Sequence, residues 1–295
     1  MLNELEIHLH TDDGVRLSLW RLRDEAKNPP TGTRDIFLTH GTFSDRRICL
    51  GIAKHFASLG YTCWTLEWRG HGSSGASPVA YDFETVARHD VKAALEHLVS
   101  EEGIQSLHCV THSGGGIVLT MCLARHPQFA PVVDKVALFA CQARHAASSK
   151  PRGWLLRSMR LASRLWGSVP GRHLGLGVQN ESFFMMKQWY DWNISGSFSG
   201  RDGFDYWGCM QGLVMPVLSI TGAADKVIAP PASCAQYLKG FGGHRNQSMV
   251  CGLATGFSKN YTHANVILSR AAMNEVWPLT ANWLASTPAR PSCLK

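Results

Sequence analysis

The sequence predicts an α/β fold: a mostly parallel twisted sheet with helices on both faces and a helical cap inserted past the middle. Three observations carry this expectation. Short apolar runs alternate along the chain with segments of helical spacing, the pattern of strand–helix–strand units. The runs are apolar throughout, as in strands buried on both faces. The rhythm breaks once, over residues 143–213, which separate two strands by far more chain than a simple crossover needs. With 295 residues, 45% of them hydrophobic and 17% charged, there is enough apolar material for one large core.

The elements follow in order. Leu5–His10 and Arg16–Arg23 alternate around Asp12-Asp13-Gly14 and read as a β-hairpin. Residues 24–33 form a polar, proline-containing loop. Asp35–Thr39 reads as a buried strand. From Asp45 to Leu59 the apolar positions have helical spacing, and Gly60 ends the run. Tyr61–Trp68 is the next strand. Phe83–Val99 is helical, with Val86, Val91, Ala94, Leu95 and Leu98 on one side. Ser106–Thr111 is a strand, Ile117–Arg125 a helix closed by Pro127, and Lys135–Cys141 a strand. Val217–Thr221 and Ser248–Cys251 are two more. A last helix spans Ala264–Ala285, with a kink expected at Pro278. Residues 1–142 and 214–295 are thus the expected core, and 143–213 the expected cap or lid.

Composition excludes several classes. Disordered chains lack this apolar content. No run of about 18 apolar residues is present, so no transmembrane helix is expected. Glu4 and Glu6 fall where a secretory signal needs cationic and apolar residues, and a cytoplasmic location is expected. The nine cysteines contain no C-x-x-C pair, so free thiols are expected and neither a zinc site nor a dithiol is signalled. The net charge is +7, but eight Lys or Arg and no acid fall between Lys135 and Asn180. That is a local basic feature and not a nucleic-acid surface.

Four motifs carry chemistry. Val110-Thr111-His112-Ser113-Gly114-Gly115-Gly116 follows a strand and opens a helix. A serine on such a sharp turn is lifted above the sheet edge, and small neighbours allow close packing. A helix-capping serine would look similar taken alone. Thr39-His40-Gly41-Thr42-Phe43 follows an earlier strand. Its Thr42 amide and that of Gly114 are the expected oxyanion donors. Ile220-Thr221-Gly222-Ala223-Ala224-Asp225 places a carboxylate at a strand end. Gly256 to His263 is a loop that offers an imidazole before the last helix. Ser113, Asp225 and His263 stand in the chain order that a nucleophile, its orienting acid and its base take in one large hydrolase fold. His40 and His71 precede the nucleophile within tight glycine turns, and His244 lies before the last strand, so none of them is preferred as the base. His112 reads as a spacer of the turn.

On these residues the chain resembles the α/β-hydrolase superfamily over nearly its whole length. It is most similar to the lysophospholipase, monoacylglycerol-lipase and serine-aminopeptidase-like branch. Leu66-Glu67-Trp68-Arg69-Gly70-His71-Gly72-Ser73-Ser74 resembles that branch's D-x-R-G-x-G-x-S turn, with Glu67 in place of its Asp. Thr111 replaces the usual glycine two residues before the nucleophile. The resemblance implies a Ser113–His263–Asp225 triad with no metal and no organic cofactor. Serine at 113 implies hydrolysis of esters, thioesters or amides. Related dehalogenases and epoxide hydrolases have aspartate there, and dienelactone hydrolases and polyhydroxyalkanoate synthases have cysteine. The expected function is a carboxylic ester hydrolase, an esterase or lysophospholipase-like lipase acting on a small-molecule acyl ester. An acyl thioesterase or acyltransferase is the nearest alternative, and a silent ligand-binding protein a more distant one. The sequence leaves the oligomeric state open.

Within the cap, residues 150–166 set Arg157, Arg160 and Arg164 on one helical face, and Trp154, Leu155, Met159, Ala162, Leu165 and Trp166 largely opposite. Such a helix can lie on a membrane or attract an anionic group. The preferred reading is a cap helix that packs its apolar face on the domain and solvates its arginines. An aromatic stripe from Phe183 to Trp207 reads as cap core or as the roof of an apolar pocket.

Overall fold

A computed structural model describes residues 1–27, 32–147 and 149–286. Part of the expected loop 24–33 and Cys293 lie outside the described residues. The strands β1 (Leu2–His10) and β2 (Arg16–Asp24) form the hairpin, followed by β3 (Asp35–Thr39), α1 (Arg47–Ser58) and β4 (Thr62–Glu67). The next helix is α2 (Phe83–Thr85), a π-helical turn Val86–Val91 and α3 (Lys92–Ser100) in succession. Then come β5 (Leu107–His112), α4 (Gly114–Arg125) and β6 (Val133–Phe139). The segment after β6 holds α5 (Lys150–Trp166), β7 (Ser168–Val169), β8 (Glu181–Ser182), α6 (Phe183–Ser195) and α7 (Tyr206–Cys209). The chain ends with β9 (Val217–Gly222), α8 (Pro231–Leu238), β10 (Gln247–Cys251), α9 (Asn265–Leu268) and α10 (Arg270–Ala285).

Eight strands form one sheet in the order β1-β2-β4-β3-β5-β6-β9-β10. Only the hairpin strands run antiparallel, β1 to β2 and β2 to β4. The remaining pairs are parallel. Successive residues of a strand feed opposite cores, which is why the strands read as unbroken apolar runs. Ile36 and Leu38 join Ile52, Phe56, Val276 and Trp277 on one side. Phe37, Trp64 and Leu66 join Val86, Leu95, Leu98 and Leu119 on the other. The order of strands reverses around β3, whose neighbours are β4 and β5, so a crevice opens at the carboxyl ends of β3 and β5.

Three elements differ from expectation. Helix α4 starts at Gly114, directly after the serine, and not at Ile117. The glycines belong to its first turn because a Cβ on Gly115 would stand 2.5 Å from the Thr39 carbonyl oxygen. The last helix is interrupted at Ser269, whose extended backbone and side-chain cap on the Ala272 amide restart it, while Pro278 lies inside α10. Helix α8 was not expected at all. It has eight residues, too few for a clear period.

The turn after β4 is anchored by Arg69, which is fully buried. Its guanidinium bonds Asp90 on the π-helical turn, from Nε at 2.8 Å, and Asp13 in the hairpin turn, from Nη1 at 2.6 Å. Asp90 also accepts the Arg69 amide at 2.9 Å and is itself fully buried. Removing the arginine would strand a buried carboxylate. Arg69→Met is expected to cost about 3–5 kcal/mol of stability in urea unfolding, and adding Asp90→Leu to recover much of it.

One contradiction is in the orientation of α5. The helix lies against α6, buries Gly153, Leu156 and Ser163, and ties Arg160 to Asp191 at 2.6 Å. Trp154, Leu155, Leu161, Leu165 and Trp166 face outward. The preferred reading of that apolar face packed inward is therefore wrong: Gly153, Leu156 and Ser163 make the buried side, Met159 is partly buried against the core, and the two tryptophans with Leu155, Leu161 and Leu165 are left outside. Among the described residues no helix is long and apolar enough to cross a membrane.

Candidate active site

The crevice at the ends of β3 and β5 brings the four motifs together. Ser113 follows β5 and precedes α4 with φ 52° and ψ −121°, a region that non-glycine residues rarely occupy. Its amide donates to the Phe139 carbonyl at 2.8 Å, which anchors the strained turn to β6. His263 Nε2 lies 3.0 Å from Ser113 Oγ. His263 Nδ1 lies 2.6 Å from Asp225 Oδ2. Asp225 is buried and also accepts the Ile228 and Ala229 amides at 3.2 and 3.1 Å. Burial works to raise its pKa, but the hydrogen bond and charge of His263 and the two amides outweigh it and hold the carboxyl below its ordinary value. Such a carboxylate keeps the His263 proton on Nδ1 and leaves Nε2 as an acceptor for the serine hydroxyl proton.

Thr42 lies in the loop after β3, and Gly114 opens α4. The Thr42 nitrogen is 3.4 Å from where a Cβ on Gly114 would project, and both residues line the same cavity as Ser113 and His263. The approach of the two loops requires glycine at 41. A Cβ there would stand 2.7 Å from Ser113 Cβ and 2.9 Å from both the Gly114 nitrogen and the His112 carbonyl oxygen. Two of those atoms are backbone and cannot swing aside. Gly41→Ala is expected to lower kcat by about 10²-fold through displacement of the Thr42 loop from Ser113, measured on the purified variant with a soluble ester.

The other histidines have structural partners. His40 is fully buried, accepts the Trp68 amide on Nε2 at 3.2 Å and so donates from Nδ1 to the Gly41 carbonyl at 2.8 Å. Burial above all, then His71, pushes its pKa down to about 3. His112 donates from Nε2 to the His263 carbonyl at 3.2 Å, and burial followed by His263 pushes it to about 3. The residue expected to be a spacer thus holds the loop that carries His263. His244 is exposed and precedes β10, at the opposite edge of the parallel sheet.

Sequence reasoning missed Glu181. It is the first acid after the acid-free window, it is buried, and its Oε1 accepts the Phe43 amide at 2.9 Å. Phe43 has φ 63°, so this bond stabilises a strained residue next to Thr42. The same oxygen lies 2.9 Å from His71 Nε2, and His71 Nδ1 faces the Arg69 carbonyl at 3.0 Å. Both ring nitrogens face oxygen atoms, an arrangement that favours the doubly protonated ring. Burial opposes that charge, but Glu181 outweighs it and raises the His71 pKa. The signal available in the sequence was the isolation of this acid.

A cavity of about 460 Å³ opens over Ser113. Leu156, Met159, Met186, Trp189, Ile228 and Leu268 contribute apolar walls. Elsewhere among the described residues, Asp12, Asp13 and His89 form a grouping able to hold a metal ion. They are already engaged: Asp13 with Arg69, His89 with Asp12, and Asp12 with Lys92 at 3.5 Å. The described cysteines are free thiols, and all but Cys209 are buried.

Comparison with known proteins bears on the fold and the family. The gastric triacylglycerol lipase of Mus musculus is 24% identical over 147 residues, 44% of this chain and 37% of the lipase. The human enzyme is 26% identical over 142 residues, 42% of this chain and 36% of the lipase. The chain therefore spans little more than a third of the curated relatives it matches. Among solved structures, a thermophilic esterase from Thermogutta terrifontis superposes with a TM-score of 0.62 at 14% identity, covering 95% of this chain and 98% of the esterase. An α/β-hydrolase from Penicillium sp. sh18 superposes with a TM-score of 0.65 at 17% identity, covering 95% and 97%. At such identities the likeness establishes the fold. A family model described as serine aminopeptidase, S33, matches residues 32–184, more than half of the sequence, and the chain belongs to that family of α/β-hydrolases.

Proposed function

We propose that the protein hydrolyses carboxylic esters with a medium or long apolar acyl group. The observation that carries this reading is the hydrogen-bonded chain Ser113–His263–Asp225 opening into an apolar cavity. In the first half-reaction His263 Nε2 takes the hydroxyl proton as Ser113 Oγ attacks the ester carbonyl carbon. The carbonyl oxygen becomes an oxyanion between the Thr42 and Gly114 amides. His263, now a cation facing Asp225, returns the proton to the leaving alcohol as the C–O bond breaks and the acyl-serine forms. In the second half-reaction water loses a proton to His263 as its oxygen attacks the acyl carbon, and His263 gives that proton to Ser113 Oγ as the acyl–serine bond breaks and the acid leaves. The serine proton leaves with the alcohol and a water proton replaces it on Ser113, so the two half-reactions balance without a metal or organic cofactor. Residues 143–213 act as the lid of the cavity in this reading, since Leu156, Met159, Met186, Trp189 and Tyr190 come from them.

The cavity makes the chain length of the acyl group the discriminating variable. A buried methylene contributes about 0.8 kcal/mol, so kcat/KM for p-nitrophenyl esters should rise from acetate by ~fourfold per added methylene until the chain outgrows the cavity. A flat profile, or a maximum at acetate, would contradict the acyl assignment. Matched acyl-CoA thioesters belong in the same assay. A clear preference for them would move the proposal to a thioesterase.

A further inference from the structure

We propose that the outer face of α5 is a docking surface for an anionic phospholipid bilayer. This goes beyond the hydrolase reading and stands without it. Trp154, Leu161 and Leu165 follow one another along the solvent-facing side of the helix at 70%, 57% and 78% exposure, with Leu155 at 46% and Trp166 at 76% beside them. Leu174, in the segment after β7, adds a further side chain at 60% exposure. Scattered exposed leucines are ordinary, but two tryptophans and four leucines concentrated on one helix and its extension mark an interaction surface.

The charge around this face selects the partner. Lys150, Arg157 and Arg164 are exposed along one flank of this face and Arg172 is exposed in the segment that follows, and no acid occurs between Lys135 and Asn180. Arg157 lies 6.0 Å from the Trp154 ring, so cation and aromatic share one surface. Tryptophans that enter the headgroup layer beside arginines that meet lipid phosphates are the arrangement of an interfacial helix. A second copy of the same face would bring arginines against arginines, which disfavours self-association. The surface also leads toward the cavity. Leu176 and Val178 are exposed and line the space over Ser113, so a docked bilayer would meet the protein beside the opening.

The test is co-sedimentation with vesicles of phosphatidylcholine alone and of equal parts phosphatidylcholine and phosphatidylglycerol. It reads binding and not turnover, so its failure is separate from failure of the hydrolase reading. Wild type should sediment with the mixed vesicles far more than with phosphatidylcholine. Trp154→Ser/Leu165→Ser/Trp166→Ser should weaken that binding by at least about tenfold with an unchanged melting temperature. Arg157→Gln/Arg164→Gln should lower affinity for the mixed vesicles by about thirtyfold and leave the weak binding to phosphatidylcholine alone. No binding to either vesicle would overturn the proposal, as would equal binding by the triple variant. A dimer on size-exclusion chromatography that the triple variant dissociates would assign the face to a second copy instead.

Discussion

Ser113→Ala is expected to lower kcat for ester hydrolysis by about 10⁴- to 10⁶-fold while KM and the melting temperature stay close to wild type. The loss is large because the variant has no atom that can form the acyl bond. What remains is water attack in a cavity that still offers the Thr42 and Gly114 amides. The fold is spared for two reasons. Among the described residues Ser113 Oγ has its hydrogen bond with His263, and none within the core. The strained backbone at φ 52° carries a Cβ in either residue, so alanine adds no new clash. Acyl binding rests on the cavity walls, which the substitution leaves in place. Steady-state kinetics on the preferred p-nitrophenyl ester measures this, and a variant within tenfold of wild type would contradict the proposed nucleophile.

Asp225→Asn should lower kcat by about 10⁴-fold, with a smaller effect on KM. An amide in place of the carboxylate can donate to His263 Nδ1. That selects the tautomer protonated on Nε2, which cannot accept the Ser113 proton. The carboxylate also stabilises the His263 cation, which an amide does not. The fold should tolerate the change, because the remaining oxygen can still accept the Ile228 or Ala229 amide. Loss of one such charge-assisted bond costs about 1.5–3 kcal/mol, visible in urea unfolding. Unchanged kcat in a folded Asp225→Asn protein would remove the acid from the mechanism.

The placement of the candidate site was legible in the sequence; pairings across long stretches of chain and the packed side of a helix were not. Ser113 could be read because its constraints lie within a few residues: a strand, a strained turn and small neighbours. Asp225 and His263 could be read from their positions after successive strands, since parallel strands deliver their carboxyl ends to one edge. Glu181 could not be assigned in that way. Its partners, His71 and the Phe43 amide, are 110 and 138 residues away in the chain, and no local pattern records such a pairing. Helix α5 shows the same limit. Periodicity established that it has an apolar side, but the side that packs is chosen by Gly153, Leu156, Ser163 and the Arg160–Asp191 pair. Helix α8 escaped because eight residues between β9 and β10 give barely two turns of pattern.

The most direct test of the central claim is reaction of the folded protein with a fluorophosphonate probe, followed by mass spectrometry of the intact chain and of its peptides. A nucleophile activated by His263 predicts one adduct per chain, on Ser113, abolished in Ser113→Ala and strongly slowed in Asp225→Asn. An adduct on another residue, or none on folded wild type, would contradict the account.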